Sequence, residues 1–192
     1  MVVMTEFMGL PVHPLMVHLP VVVVPALILS VLLYILIPPF RRRIGWLVAV
    51  LTVLASAATV GGWYTGHQFY DQHVDMIAAA GADTSVFENL LADHLYYGDI
   101  LVWLVPVMAP LIWLFAALDR GRRAAIDRGA DAPPAADGDA PPPAPDDPAA
   151  KGRRVVMVVL AIMILGLSGA AGYVGFKAGH SGAEAVWSTP DH

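Results

Sequence analysis

Residues 15–37 read LMVHLPVVVVPALILSVLLYILI, and the next six are Pro38-Pro39-Phe40-Arg41-Arg42-Arg43. The run contains no Asp, Glu, Lys or Arg. At a rise of about 1.5 Å per residue, it is long enough as a helix to cross a hydrocarbon core about 30 Å thick. Two prolines stop the helix and three arginines anchor its end among headgroups. Three further apolar runs follow, at roughly Ile44–Gly66, Tyr97–Leu118 and Val155–Phe176. The whole chain of 192 residues is 57% hydrophobic and 14% charged, with a mean hydropathy of +0.64. These features predict an all-α protein: one four-helix transmembrane bundle over residues 1–192, with no second folded domain.

The basic residues predict which way the bundle faces. Arg41, Arg42 and Arg43 lie in the first connection. Arg120, Arg122, Arg123, Arg128, Lys151, Arg153 and Arg154 lie in the last. Only Lys177 lies elsewhere. The positive-inside rule puts both connections in the cytoplasm, with both termini and the middle loop on the non-cytoplasmic side. The expected location is a bacterial cytoplasmic membrane. The first 40 residues contain no Lys or Arg, so the basic start of a secretory signal is missing and the first span is expected to be retained. The outer segments then hold nine acids against Lys177, and the inner ones ten bases against seven acids. The inner charge suits anionic lipid and the outer charge suits cations or a basic partner. Nothing in this balance suggests nucleic acid.

There is no cysteine, which excludes disulfides, Fe–S clusters, thiolate zinc sites and covalently attached haem. The segment at about 126–150 is rich in Ala, Pro, Asp and Gly and is expected to be a disordered cytoplasmic linker. The outer loop, about Gln68–Tyr96, is expected to be partly helical, with a break at Ala80–Ala82. Glycines recur toward the outer ends of two spans, as Gly62-x-x-x-Gly66 and as Gly166, Gly169, Gly172, Gly175 and Gly179. Small residues there permit close approach of a helix or of a flat macrocycle.

The seven histidines are His13, His18, His67, His73, His94, His180 and His192, and all fall on the predicted outer side. His18 is expected about one turn deep in the first span, where an ionisable group is costly unless paired or bound. His67 ends the second span, His94 opens the third, and His180 follows the fourth. Each helix therefore offers an imidazole at one membrane level. Imidazole is the commonest metal ligand and an axial ligand of haem. His18, His67 and His94 are the first candidate ligands for a cofactor or metal, with His13 and His180 next. Asp71, Asp93 and Asp99 are candidates to support them through their second ring nitrogen. His73, beside Asp71 and Asp75, reads as solvated or weakly metal-binding, and His192 as a tail residue with no positional constraint.

The stretch Val12-His-Pro-Leu-Met-Val-His-Leu-Pro20 resembles the HPLxVHFP signature of the DUF2231 family of bacterial four-helix membrane proteins, with Leu19 in place of the usual Phe. Gly179-His-Ser-Gly-Ala-Glu-Ala-Val-Trp187 loosely resembles the family's closing segment. The resemblance covers the chain apart from the linker. Family members occur near cytochrome-type and Rieske-type redox modules, which implies a b-type haem or a redox role by association.

The leading expectation is a membrane b-type cytochrome-like protein. It would hold haem b near the outer face and pass electrons between a quinone and an outer-face redox protein. The alternatives are a non-haem site for copper, zinc or iron, and a structural anchor subunit of a redox complex. The chain shows no nucleophile–base pair and no phosphate loop. An electron-transfer or binding role is therefore expected rather than a stand-alone enzyme.

Overall fold

In a computed structural model, residues 6–130 and 148–187 are described. The chain enters through a hairpin of two short strands, β1 (Glu6–Phe7) and β2 (Leu10–Pro11), paired Glu6 to Pro11 and Phe7 to Leu10. Met8 and Gly9 form its two-residue turn, at φ 53° and 78°. Positive φ at both positions is the twist that suits a tight hairpin, and glycine takes it without strain. The all-helical expectation did not include this hairpin.

Next come α1 (Val12–Met16) and α2 (His18–Leu36), separated only at Val17. Pro20 has no N–H to give to the Met16 carbonyl, which accounts for the break. Pro25 is carried inside α2. Ile37 turns to an extended conformation before the proline pair, and α3 (Phe40–Ala79) begins at once. It is followed by α4 (Ser85–Ala130) and α5 (Pro148–Trp187).

Four helical segments are long and apolar enough to cross a membrane: Val12–Leu36, Phe40–Ala79, Ser85–Asp127 and Ala150–Trp187. Three of them far exceed the expected spans. The 40 residues of α3 make a rod about 60 Å long, twice a hydrocarbon core. The connection expected at about Gln68–Tyr96 is therefore a helical hairpin in which α3 and α4 run on past the apolar zone. Its break falls at Ala80–Ala82, as the sequence suggests. Gly81 sits at φ 71°, its N–H bonds the Ala78 carbonyl at 2.9 Å, and Ala82 N–H bonds the Ile77 carbonyl at 3.1 Å. This pair of back-bonds satisfies the last carbonyls of α3 and requires a left-handed residue between them. At the far side of the turn, Ser85 donates its N–H and hydroxyl to Asp83, each at 2.9 Å. The expected linker at 126–150 is shorter than the sequence suggests, because α4 runs to Ala130 and α5 starts at Pro148. Its middle, 131–147, lies outside the described residues.

The helices close in a ring in which α2 packs on α3 and α5, and α4 packs on α3 and α5. The core is a single file of apolar side chains, including Leu27, Val31, Val48, Ala55, Val105, Met108, Ile112, Leu160 and Ile164. Only 28–33% of each span's apolar window is buried, so most of the hydrophobic surface faces outward. An apolar surface of that extent requires a lipid environment. Inside the bundle, Thr52, Thr59 and Ser168 donate their hydroxyls to the carbonyls of Val48, Ala55 and Ile164, which satisfies these polar hydrogens in an apolar zone. The small-residue face of α5 is used in part. Gly172 meets Ile28 and Gly175 meets Leu101, whereas Gly166, Gly169 and Gly179 face open space.

One end of the ring is locked by charge. Asp119 on α4 is fully buried, 3.2 Å from Arg41 Nη1 and 2.6 Å from Arg123 Nη2. Arg41 also donates to the carbonyls of Tyr34 and Ile35, at 2.9 and 2.7 Å, and lies over the Phe115 ring. This one guanidinium thus caps α2, starts α3 and reaches α4. The approach of Arg123 to Asp119 Oδ2 is an ion pair without hydrogen-bond alignment, so that oxygen is held by charge alone.

Candidate functional site

The opposite end carries the imidazoles. His13 is placed by α1, where Pro14 suits the first helical turn. Its ring packs against α3 at Gly66, where a Cβ would stand 2.9 Å from His13 Cε1. Its Nδ1 is 3.3 Å from Thr65 Oγ1. The Thr65 hydroxyl lies within reach of the Gly61 and Gly62 carbonyls, at 2.9 and 3.2 Å, and it can pair with His13 Nδ1 as donor or acceptor according to the ring's tautomer.

His94, on α4, reaches across to α5. Its Nδ1 is 2.8 Å from the Ala178 carbonyl, which only accepts, so Nδ1 carries the proton. The His94 ring fills the space over Gly182, where a Cβ would stand 2.8 Å from Nδ1. In its neutral form, then, His94 has Nδ1–H tied down and a lone pair on Nε2. That is the state in which histidine binds a metal centre.

These two rings meet. Their centroids are 6.1 Å apart at 72°, and the Phe69 ring lies 6.0 Å from that of His13. Two imidazoles bound through nitrogen at about 2.0–2.1 Å to one centre have centroids about 5–6.5 Å apart. The span between the two rings lies within that range.

The remaining candidates go elsewhere. His67 packs on Trp63 at 4.5 Å and donates Nδ1–H to the Trp63 carbonyl at 3.0 Å. Its Nε2 is 3.4 Å from Asp99 Oδ1, which also accepts the Trp63 indole N–H at 2.6 Å. Asp99 therefore supports His67, and through Trp63 it staples α3 to α4. His18 is exposed and not buried as expected, with Nδ1 bonded to the Pro14 carbonyl of its own helical turn at 2.7 Å. His180 is exposed, stacked on Phe176 and 3.3 Å from Glu184. His73 bonds the Phe69 carbonyl and stacks near Phe87. Asp71 and Asp93 are exposed, and no ion pair joins either to a histidine among the described residues. His192 lies outside those residues.

The expected trio of His18, His67 and His94 is thus not brought together. Among the described residues, no three His, Asp or Glu side chains converge as a metal ion held by the protein alone would need. The observed pair takes one ligand from the second rank, His13. Sequence reading passed over Thr65, Gly182 and the Ala178 carbonyl. Gly182 had a signal, since it closes the Gly179-His-Ser-Gly182 segment. The Ala178 carbonyl had none, because any residue supplies one.

The fold and this end of it define a four-helix protein of the multi-pass membrane class with a glycine-backed imidazole pair. Comparison with family models, curated proteins and solved structures finds no match.

Proposed function

We propose that this protein binds haem b at the outer end of the bundle through His13 and His94 and serves electron transfer. A quinone in the membrane and a redox protein on the outer face are the proposed partners. The observation that carries the reading is the pair itself: two imidazoles 6.1 Å apart, each with a glycine beneath its ring. Haem supplies a one-electron couple when bound. The chain's own work is to hold the ligands. The Ala178 carbonyl fixes His94 as the Nδ1–H tautomer, and Thr65 holds the His13 ring through its Nδ1. Ligation by two imidazoles leaves no open position for O₂, which favours electron transfer over oxygen chemistry. Membership of the DUF2231 family and residence in a bacterial cytoplasmic membrane, with both termini outside, belong to the same proposal. The latter rests on the arginine-rich end, where Arg41, Arg42, Arg120 and Arg123 gather.

The test is the spectrum of protein purified from haem-sufficient cells. Reduction with dithionite is expected to give b-type bands in the wild type, in His18→Ala and in His180→Ala. His13→Ala and His94→Ala are expected to lose them. A colourless wild type overturns the proposal.

A further inference from the structure

We propose that the arginine end holds a binding site for the phosphate headgroup of an anionic phospholipid. A cleft of about 370 Å³ opens there between the start of α3 and the end of α4. Arg41, Arg42, Arg120 and Arg123 line it, with Asp127 as the one carboxylate of the lining. Asp119 sits behind Arg41 and Arg123 and takes part of their charge. Asp127 takes part of that of Arg42, at 3.1 Å. Four guanidinium groups against two carboxylates leave an excess of two positive charges converging on one cleft. Arginine presents a planar fork of donors that matches phosphate oxygens. Arg41 is already fixed by three partners, which gives the cleft one rigid wall.

A soluble phosphate would need only the arginines, but the surface below them points to a lipid. Trp46 also lines the cleft and is 69% exposed. Val50 and Val53 continue its helical face and are 46% and 54% exposed. Residues four and seven positions on lie beneath the first along a helix, so an apolar track runs from the cleft down the bundle. A headgroup seated on the arginines would lay its acyl chains on that track. Basic pockets at the ends of membrane helices are suited to this chemistry. The site is independent of the imidazole end.

The full chain in detergent is titrated with phosphatidylglycerol, with phosphatidylcholine and with glycerol phosphate, and bound lipid is counted by native mass spectrometry. Phosphatidylglycerol is expected to bind in preference to phosphatidylcholine. R42Q/R120Q, at two exposed positions of the cleft, is expected to weaken it about fivefold per arginine. R43Q/R122Q removes the same charge at exposed positions outside the cleft and is expected to bind as the wild type does. Equal weakening in both variants would reduce the effect to diffuse surface charge and overturn the site. Equal binding of the two lipids would overturn it as well. Displacement of phosphatidylglycerol by an equal concentration of glycerol phosphate would assign the cleft to a soluble anion instead.

Discussion

Gly182 on α5 lies under the His94 ring of α4 so closely that a methyl group there would stand 2.8 Å from Nδ1 and 2.9 Å from Cε1. Gly66 stands in the same relation to His13, at 2.9 Å from Cε1. The imidazole pair therefore depends on two missing side chains on two different helices.

Gly66→Ala and Gly182→Ala are each expected to push one ring off its seat. Overfilling a packed site of this kind costs about 1–3 kcal/mol. Thermal unfolding in detergent measures the cost, and bound haem per protein reports the displaced ligand. Gly179→Ala faces open space and serves as the control, with both readouts unchanged. Equal effects at all three positions would show that the cradles are not specific to the histidines.

Asp119→Ala is expected to be among the most damaging single changes at the arginine end. It leaves Arg41 and Arg123, only 14% and 20% exposed, facing each other without their shared anion. Removing one partner of a buried ion pair costs about 3–5 kcal/mol. A sharp fall in the unfolding midpoint is expected, with the spectrum of any surviving folded protein unaltered. A midpoint within a degree or two of the wild type would mean that the triad contributes little.

Asp99→Asn tests the staple between Trp63, His67 and α4. The carboxylate is 53% exposed, so solvent screens its contact with His67 and the loss is expected to stay below about 1 kcal/mol. Haem content is expected to be unchanged, because His67 stands outside the pair. Loss of haem in this variant would bring His67 back as a ligand.

The turn before α4 gives a pH dependence. The Ser85 amide and hydroxyl donate to Asp83 and hold its carboxyl below its ordinary value of 3.8. A carboxyl with a depressed folded pKa adds stability that is fully present above its unfolded pKa, about 3.9, and is lost as pH falls through the folded value. Protection of the Ser85–Glu88 amides against hydrogen exchange is therefore expected to weaken below about pH 4. In Asp83→Ala that weakening is expected to disappear.

Sidedness is checked by labelling. The chain has no cysteine, so a single cysteine at Ala82 or at Ala135 reports one position. The two are expected to react from opposite sides of intact spheroplasts. Labelling of both from one side would overturn the outward placement of the imidazole end.

The four apolar spans, the stop at Pro38-Pro39 and the break at Ala80–Ala82 were legible in the sequence because each depends on local chemistry. Hydrophobic length, a missing amide hydrogen and a left-handed glycine act within a few residues of themselves. The helical continuation of α3 and α4 beyond the apolar zone was only half visible. Polar residues such as Gln68, Gln72 and Asn89 carry no hydrophobic period that would separate an exposed helix from a loop. Asp119 was counted only as one inner acid among seven, since its burial follows from Arg41 arriving from 78 positions away.

Composition and order along the chain were enough to determine that this protein is a bundle of four membrane-length helices with its imidazoles gathered toward one end and its arginines toward the other. Which imidazoles meet was decided by tertiary structure alone. His18 has the deepest position in sequence, yet its place on α2 turns it outward to bond its own helix at Pro14. His13, on the short α1 split off by Pro20, turns inward onto Gly66. His94 finds its partner because the register of α4 on α5 sets it beside the Ala178 carbonyl. A helix repeats every 3.6 residues, so the face a residue presents follows from its phase against neighbouring helices, and that phase is fixed only when the whole bundle packs.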